Sequence, residues 1–528
     1  MNLRRFSPSI RLPRLDVFLF VLLIFIWATE LLVIQELTTH GKESFSLFGA
    51  LKYAARRMLL NIAFCTFLTS LLKRAWLFVA FLISTIFSVV VTTYSAYFQQ
   101  PLSWPVLSLQ WHEGMAVSDH ALSLISWGSV SLLALALGVK VALAQLIGGK
   151  QQPFSPSMRQ SLTIRAGATY AILAIGFAGF YKPLSQVTIT SPEYAYGYAV
   201  AWTAEFLTYD TDAILADAIA KAATKSHLVT ETEGELSFGD HVAVVQVESL
   251  DYDAIHAKTA GTLVMPFLHS LQPQAMSYMV KPFHATGSSE ADFSFLTTST
   301  PNGKITPFKV VGFPYEDALP RLIEKSGFSA YAFHGNTGAF FHRRTAYEKM
   351  GFSRIYFDKE LKACGVNGAY DHEVLQLSAQ TIRESKKPMF HFVITITSHG
   401  PFNRLPADYE RLIEAPSGIQ DRYLNSMRYV DEALERYYDA LPENTTFIVY
   451  GDHHSNVKGY TTEKVHEDRV PWIICQKGKD LSRRQKSDST LAHSGELSQL
   501  EMACYMRDSL EPNLRIADRI ISEQPLVR

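Results

Sequence analysis

The sequence predicts two parts of different class: an N-terminal α-helical membrane domain of about five spans, then an α/β domain with a mainly parallel central sheet. Three observations predict this. Nearly all the long apolar runs lie before residue 190, and from His241 onward short β-rich runs alternate with helical patterns. The chain is also 528 residues long, more than one hydrophobic core ordinarily serves.

Composition narrows the field further. The 48% hydrophobic content is that of a soluble protein, so its distribution and not its total carries the membrane signal. Net charge is -1 and no basic tract stands out, which argues against a nucleic-acid partner. The four cysteines, Cys65, Cys364, Cys475 and Cys504, show no CxxC spacing. That excludes a disulfide scaffold and argues against a thiolate zinc site.

Residues 15–37 are almost uninterrupted apolar sequence, long enough to cross a hydrocarbon core of ~30 Å. No small-x-small cleavage site follows, so this segment reads as an anchor and not as a signal peptide. Further spans are expected at about 58–72, 76–98, 121–147 and 168–187, the second of them short. With the N-terminus inside, the cytoplasmic segments hold Arg4, Arg5, Arg11 and Arg14, then Lys73, Arg74, Lys150, Arg159 and Arg165. The outer loops hold only Lys42, Lys52, Arg56 and Arg57. By the positive-inside rule the C-terminal domain is then extracytoplasmic. Glu30, near the outer end of the first span, is expected to reach the interface. Residues 1–187 form the membrane domain and 188–240 a juxtamembrane connector. The connector carries an aromatic cluster (Tyr194, Tyr196, Tyr198, Trp202, Phe206) suited to the headgroup region, then a helical DAILADAIAKAATK stretch.

In residues 241–528 the strand-like runs are HVAVVQV, SYMVKPF, FSAYAF, MFHFVITIT, TTFIVY and VPWIIC. Ligands gather beyond the carboxyl ends of parallel strands, and the residues there are chemical. The first run ends at Glu248-Ser249, the second leads to Ser288 opening a helix, and FSAYAF ends at His334. MFHFVITIT ends at Ser398-His399-Gly400, and TTFIVY ends at Gly451-Asp452-His453-His454. Singly each has an ordinary reading: Ser288 as a helix N-cap, Asp-His as a loop cap, Arg343 and Arg344 as a solvated helix face. Together, carboxylates and an imidazole suit a divalent cation, and a neighbouring hydroxyl suits a nucleophile.

At VVQVESL, ATGSSEADFSFL, FHGNTGAFFHRRTAYEKMGF, ITSHGPF and VYGDHH the sequence resembles the lipoteichoic acid synthase and phosphoglycerol transferase family of the alkaline phosphatase/sulfatase superfamily. The resemblance covers roughly residues 241–510 and implies a sulfatase-like catalytic domain. It implies Glu248, Asp452 and His453 as metal ligands, with Ser288 as fourth ligand and nucleophile where the family usually has threonine. Ser289 and Thr286 are close rivals for that role. Arg343, His399 and Phe341 fall at substrate-binding positions, Phe341 where tryptophan is common. His466 matches a further phosphate or second-metal contact of the phosphoethanolamine transferase relatives. The implied cofactor is one divalent metal, Mn first, with Mg or Zn as alternatives. The implied reaction moves phosphoglycerol from a phospholipid, phosphatidylglycerol, to an envelope polysaccharide or polymer. A phosphoethanolamine transferase and a non-catalytic lipid- or glycan-binding protein stay open as alternatives. Three soluble cysteines are too few for the disulfides usual in the former.

Overall fold

The computed structural model describes residues 13–39, 47–98, 101–108, 127–147, 154–179, 192–208, 210–223 and 238–509, less positions 286, 304, 462–465, 467, 483–496 and 508. They fall into two units, one ending at Thr208 and one beginning at Asp210.

The first unit has, among its described residues, five long helices: α1 Pro13–Thr39, α2 Leu47–Leu71, α3 Arg74–Phe98, α4 Trp127–Ile147 and α5 Pro156–Gly179. Among the described residues, three stretches are long and apolar enough to cross a membrane: Leu15–Thr38, Arg74–Ser95 and Gly128–Ile147. Outward-facing Phe18, Phe25, Ile83, Ile86, Leu132 and Leu135 on these helices are exposed, while Leu23, Trp27 and Phe81 are buried between them. Helices apolar on every side suit a lipid surround.

The second and fifth helices are placed differently from the expected spans. The helix expected at 58–72 starts at Leu47, so Lys52, Arg56 and Arg57 lie within a helix and not in a loop. Arg57 is buried, paired with Glu36 and set over the Tyr194 ring at 4.4 Å. The helix expected at 168–187 starts at Pro156, and residues 180–187, like 121–126, lie outside the described residues. Arg159 explains the early start: its guanidinium donates to the Ser70 and Leu72 carbonyls at 2.6 and 2.8 Å, satisfying the open C-terminal end of α2. Glu30 does not reach an interface. It pairs with Lys140 of α4 at 2.5 Å, both side chains buried. The helices α6 Pro192–Tyr196 and α7 Tyr198–Thr208 pack within this unit through Tyr198, which donates to Thr38, and Trp202, which donates to the Leu102 carbonyl. Helix α8, Thr211–Ala223, belongs to the second unit.

The second unit is an α/β domain. Its strands are β1 His241–Val247, β2 Lys258–Thr259, β3 Thr262–Leu263, β4 Met276–Lys281, β5 Ser329–His334, β6 Arg354–Tyr356, β7 Met389–Ile394, β8 Thr445–Gly451, β9 Val470–Gln476 and β10 Leu497–Ser498. Apart from the β2–β3 ribbon they form one sheet in the order β10-β4-β9-β8-β1-β7-β5-β6. All six runs read from the sequence are strands. Neighbours pair in parallel except at β9, which is antiparallel to both β4 and β8. Two reversals cancel, so β4 points the same way as β1. β7, β8 and β9 are buried along their whole length, as strands covered on both faces must be.

Helix α9 Pro266–Leu271 follows the ribbon; α10 Ser289–Thr297, α11 Arg343–Met350, α12 Asp371–Glu384 and α13 Ile419–Ala440 come after it. α13 buries Tyr423, Met427, Val430, Leu434 and Tyr437, the alternating three- and four-residue spacing of an amphipathic helix. Its Asp431 accepts the backbone N–H groups of Phe267 and Leu268 and so caps α9. The parallel direction of β1, β4, β5, β7 and β8 brings their carboxyl ends to one edge.

Candidate active site

Glu248 leaves the end of β1 and Asp452 the end of the adjacent β8. Ser249 turns the chain with φ 56°, a left-handed conformation uncommon for serine. The turn lets its N–H donate to Asp452 Oδ1 at 2.8 Å and its hydroxyl to Glu248 Oε1 at 3.0 Å. Asp452 Oδ1 also accepts the His453 N–H, whereas Oδ2 is buried and makes no hydrogen bond. His453 donates from Nδ1 to the His454 carbonyl at 2.9 Å, which leaves the Nε2 lone pair for the site. Nε2 lies 3.2 Å from Glu248 Oε1 and 3.4 Å from Asp452 Oδ2. The His284 ring stacks on His453 at 3.7 Å and fixes its plane.

Ser288 stands at the N-cap position of α10 yet makes no side-chain cap bond. Its hydroxyl turns instead to Glu248 Oε2 at 3.4 Å and His453 Nε2 at 3.2 Å. Ser289 is fully buried and makes no hydrogen bond with this group; Thr286 lies outside the described residues. Gly287 precedes Ser288 with φ 124°, and a Cβ there would lie 2.6 Å from the Phe341 ring, so this position accepts glycine only.

The donor set fits a divalent cation. One ligand atom each from Glu248, Asp452 and His453 lies within 4.8 Å of the others, and all three residues are buried. Two carboxylates and an imidazole lone pair are ordinary ligands of Mn, Mg or Zn. Charge points the same way. Burial, reinforced by Glu248, raises Asp452 well above the usual carboxylate range. Burial is the largest single influence on Glu248 and opposes its charge, but the hydrogen bond and charge of His453, with His399 and the Ser249 hydroxyl, together outweigh it and hold Glu248 low. Burial lowers His453, while Asp452 and Glu248 more than reverse this and carry it to about 10. Two buried anions thus compete for one proton-bearing ring, an electrostatic demand that a metal ion meets.

Arg343 is 2% exposed, which overturns the solvated-face reading. It donates Nε to Asp292 Oδ2 at 2.9 Å, and Tyr347 donates to the same oxygen at 2.6 Å. Its Nη1 is 3.5 Å from His334 Nε2, whose Nδ1 donates to the Ile394 carbonyl at the end of β7. Burial, with Arg343 adding, pushes His334 down to about 3, so it is a neutral acceptor. Phe341 packs 5.2 Å from the Arg343 guanidinium. Arg344 is half-exposed on Glu360. His399 donates Nδ1 to the Gly400 carbonyl at 2.7 Å, and burial lowers its pKa against the pull of Glu248. His466 is exposed and hydrogen-bonded to Asp253 at 2.6 Å, and no hydrogen bond ties it to the cluster. Sequence reasoning missed Asp292, Tyr347 and His284, and named Ser249 only as the neighbour of Glu248. The one cue in the sequence was two acids, Glu290 and Asp292, close together in ATGSSEADFSFL; the structure buries that whole helix, where each needs a partner.

Fold and site together define the class: an α/β domain of the alkaline phosphatase superfamily preceded by a helical, membrane-type region. Residues 240–496 match the sulfatase family. A lipoteichoic acid synthase of Staphylococcus saprophyticus is 26% identical over 234 residues, 40% of this chain and 36% of that protein. Lipoteichoic acid synthase 2 of Bacillus subtilis is 23% identical over 398 residues, 68% of this chain and 59% of that protein. The chain thus carries a sulfatase-family domain and is similar to lipoteichoic acid synthases. The match spans about a third to three-fifths of those relatives' length. The fold of the integral membrane protein lipooligosaccharide phosphoethanolamine transferase A from Neisseria meningitidis matches 94% of this chain and 95% of that one, with TM-score 0.52 and 14% identity.

Proposed function

We propose that this chain is a metal-dependent transferase that moves a phosphoglycerol headgroup from phosphatidylglycerol to a hydroxyl of an envelope glycan or polymer. The observation that carries the reading is the Ser288 hydroxyl, turned from its helix toward Glu248 and His453. The phosphoglycerol headgroup comes from the resemblance carried by VVQVESL, ATGSSEADFSFL, ITSHGPF and VYGDHH, with which the similarity to lipoteichoic acid synthases agrees.

Glu248, Asp452, His453 and Ser288 would hold the divalent ion. When bound, such an ion lowers the pKa of a coordinated hydroxyl and offsets charge on phosphoryl oxygens. Ser288 Oγ attacks phosphorus and gives up its proton, for which Glu248 Oε2 is the acceptor its hydroxyl already faces. The bond from phosphorus to the diacylglycerol oxygen breaks, and that alcohol leaves with the proton that Ser288 gave up. A phosphoglycerol ester on Ser288 remains. An acceptor hydroxyl then displaces Ser288; His399, kept neutral by burial, takes the proton the acceptor loses, and the departing Ser288 oxygen regains it. Arg343, oriented by Asp292, offers guanidinium N–H groups to the phosphoryl oxygens. Five membrane spans and an extracytoplasmic domain belong to this reading, holding the site beside a substrate confined to the bilayer.

A phosphoethanolamine transferase is the nearest alternative. Cys364, Cys475 and Cys504 are free, which argues against a soluble domain tied by several disulfides. The test is purified full-length protein with fluorescent phosphatidylglycerol, with and without Mn²⁺. Metal-dependent diacylglycerol supports the reading. Release from phosphatidylethanolamine alone moves the protein to the alternative.

A further inference from the structure

A polar cleft of about 760 Å³ opens on the α/β domain, lined by none of the cluster residues just described. Its size is within the range of about 300–1,000 Å³ usual for small-ligand sites. One wall is the loop that follows His399, with Tyr409 and Arg411; the other is α13, with Tyr429 and Arg436; His372, at the start of α12, closes one end.

The cleft starts at the catalytic edge. His372 is next to Asp371, whose carboxylate accepts the Ile396 and Thr397 N–H groups at 2.7 and 3.0 Å. The next residue, Ser398, donates to the Glu248 carbonyl at 2.7 Å, and His399 follows. From there α13 runs toward the start of β8, so the cleft extends away from the reacting centre along a helix.

Its chemistry is that of a ligand rich in hydroxyls and poor in charge. The two walls meet where Tyr409 packs edge to face on the buried Tyr429 at 5.0 Å, and the half-buried Tyr409 ring is the aromatic surface left to the cleft. Asp408, Glu410, Glu414 and Glu432 supply acceptors. Arg411, Arg428 and Arg436 supply donors, and Arg428 is paired with Glu432 at 2.7 Å. Four carboxylates against three guanidiniums leave no positive field to gather an anionic polymer. His372, hydrogen-bonded to Tyr429 and pushed down by burial, adds no charge at neutral pH.

We propose that this cleft binds the acceptor as an uncharged saccharide chain, with its terminal hydroxyl at His399 and its body along α13. The inference rests on the transferase reading for the word acceptor; saccharide binding itself does not.

The experiment uses full-length protein in nanodiscs, with glucose heptasaccharides in α-1,4, β-1,2 and β-1,3 linkage as probes. Binding is followed by calorimetry for wild type, Arg436→Ala and Tyr409→Ala, and diacylglycerol release without saccharide is measured in parallel. Saturable binding of at least one probe is expected, weakened about tenfold in each variant, as for loss of one charge-assisted or aromatic contact. Release should be unchanged in both variants. No saturable binding, unaltered binding in both variants, or preferential binding of glycerol phosphate at the cleft would overturn the proposal. Absence of diacylglycerol release from any lipid, with saccharide binding still lost in the variants, would sink the transferase reading and leave the saccharide site standing.

Discussion

The Ser288 hydroxyl lies 3.2 Å from His453 Nε2, although Ser288 occupies the N-cap position of α10. A serine at that place ordinarily spends its oxygen on the first turn of the helix. Here the oxygen is directed across the sheet edge, from the end of β4 to the end of β8, and the helix start goes without a side-chain cap. That exchange of local stability for a positioned hydroxyl is expected where chemistry occurs.

It yields the first prediction. Removing an N-cap serine ordinarily costs about 0.5–2 kcal/mol. Because Ser288 makes no cap bond, Ser288→Ala should shift the unfolding free energy by less than about 0.5 kcal/mol while abolishing diacylglycerol release. Parallel denaturation and lipid assays check it. Retained transfer would remove Ser288 as nucleophile in favour of a neighbour.

Much of this was legible in advance, for a physical reason. The six strands are short apolar runs with chemical residues at their ends, and a buried parallel strand has little freedom to look otherwise. Glu248, Ser288, Asp452 and His453 are therefore brought together by sheet direction alone. What the sequence hid were partnerships. Nothing in SSEAD tells that Asp292 will orient Arg343, and nothing in an apolar run tells that Lys140 will meet Glu30. Such pairs join residues 51 and 110 positions apart, and they depend on helix rotation, which periodicity leaves undetermined in a helix buried or apolar all round.

A second prediction concerns metal. Asp452 Oδ2 is buried without a hydrogen bond beside Glu248 and His453. Asp452→Ala and Glu248→Ala should both lose bound divalent metal and activity, and chelation of wild type should lower its melting temperature, since a ligand bound only to the folded state stabilises it. Elemental analysis and a thermal scan with and without EDTA decide this. Full metal content in either variant would strike that residue from the ligand set.

The Asp292–Arg343 pair gives a third. Both side chains are at most 2% exposed, and Tyr347 completes the arrangement. Removing one member of a buried pair strands the other charge and costs about 3–5 kcal/mol. Asp292→Ala should therefore unfold at markedly lower denaturant, and the double change Asp292→Leu with Arg343→Met should cost less than the two single changes added. Strict additivity in equilibrium denaturation would show that the two groups are not energetically coupled.

Within the helical unit, Glu30 and Lys140 invite the same reasoning in a harsher medium. An ionisable residue inside a membrane span is tolerated when it is paired with another, and here the partners are 2.5 Å apart on α1 and α4. Lys140→Met alone should lower the yield of folded protein in membranes. Combining it with Glu30→Gln should restore that yield, because no lone charge remains. Equal yields for the single and double variants would mean that the pair contributes nothing to assembly.

The last prediction follows from His391, a fully buried histidine on β7 whose Nδ1 lies 2.8 Å from the Ser378 hydroxyl. Burial, with the nearby His241 adding, lowers its pKa from 6.5 to about 3. The neutral ring is therefore favoured in the fold, whereas the unfolded chain takes up a proton below about 6.5. The unfolded state then binds more protons between pH 3 and 6.5, so stability rises with pH across that window. The contribution is complete above 6.5 and is lost as pH falls toward 3. At pH 5 the loss should be about 2 kcal/mol. His391→Phe removes the titration and keeps an aromatic ring between Tyr331 and Phe333, which flank it at 5.5 and 4.9 Å. The unfolding free energy of the variant should fall less than that of wild type between pH 7 and pH 5. Parallel pH profiles for the two proteins would show that this ring does not titrate with unfolding.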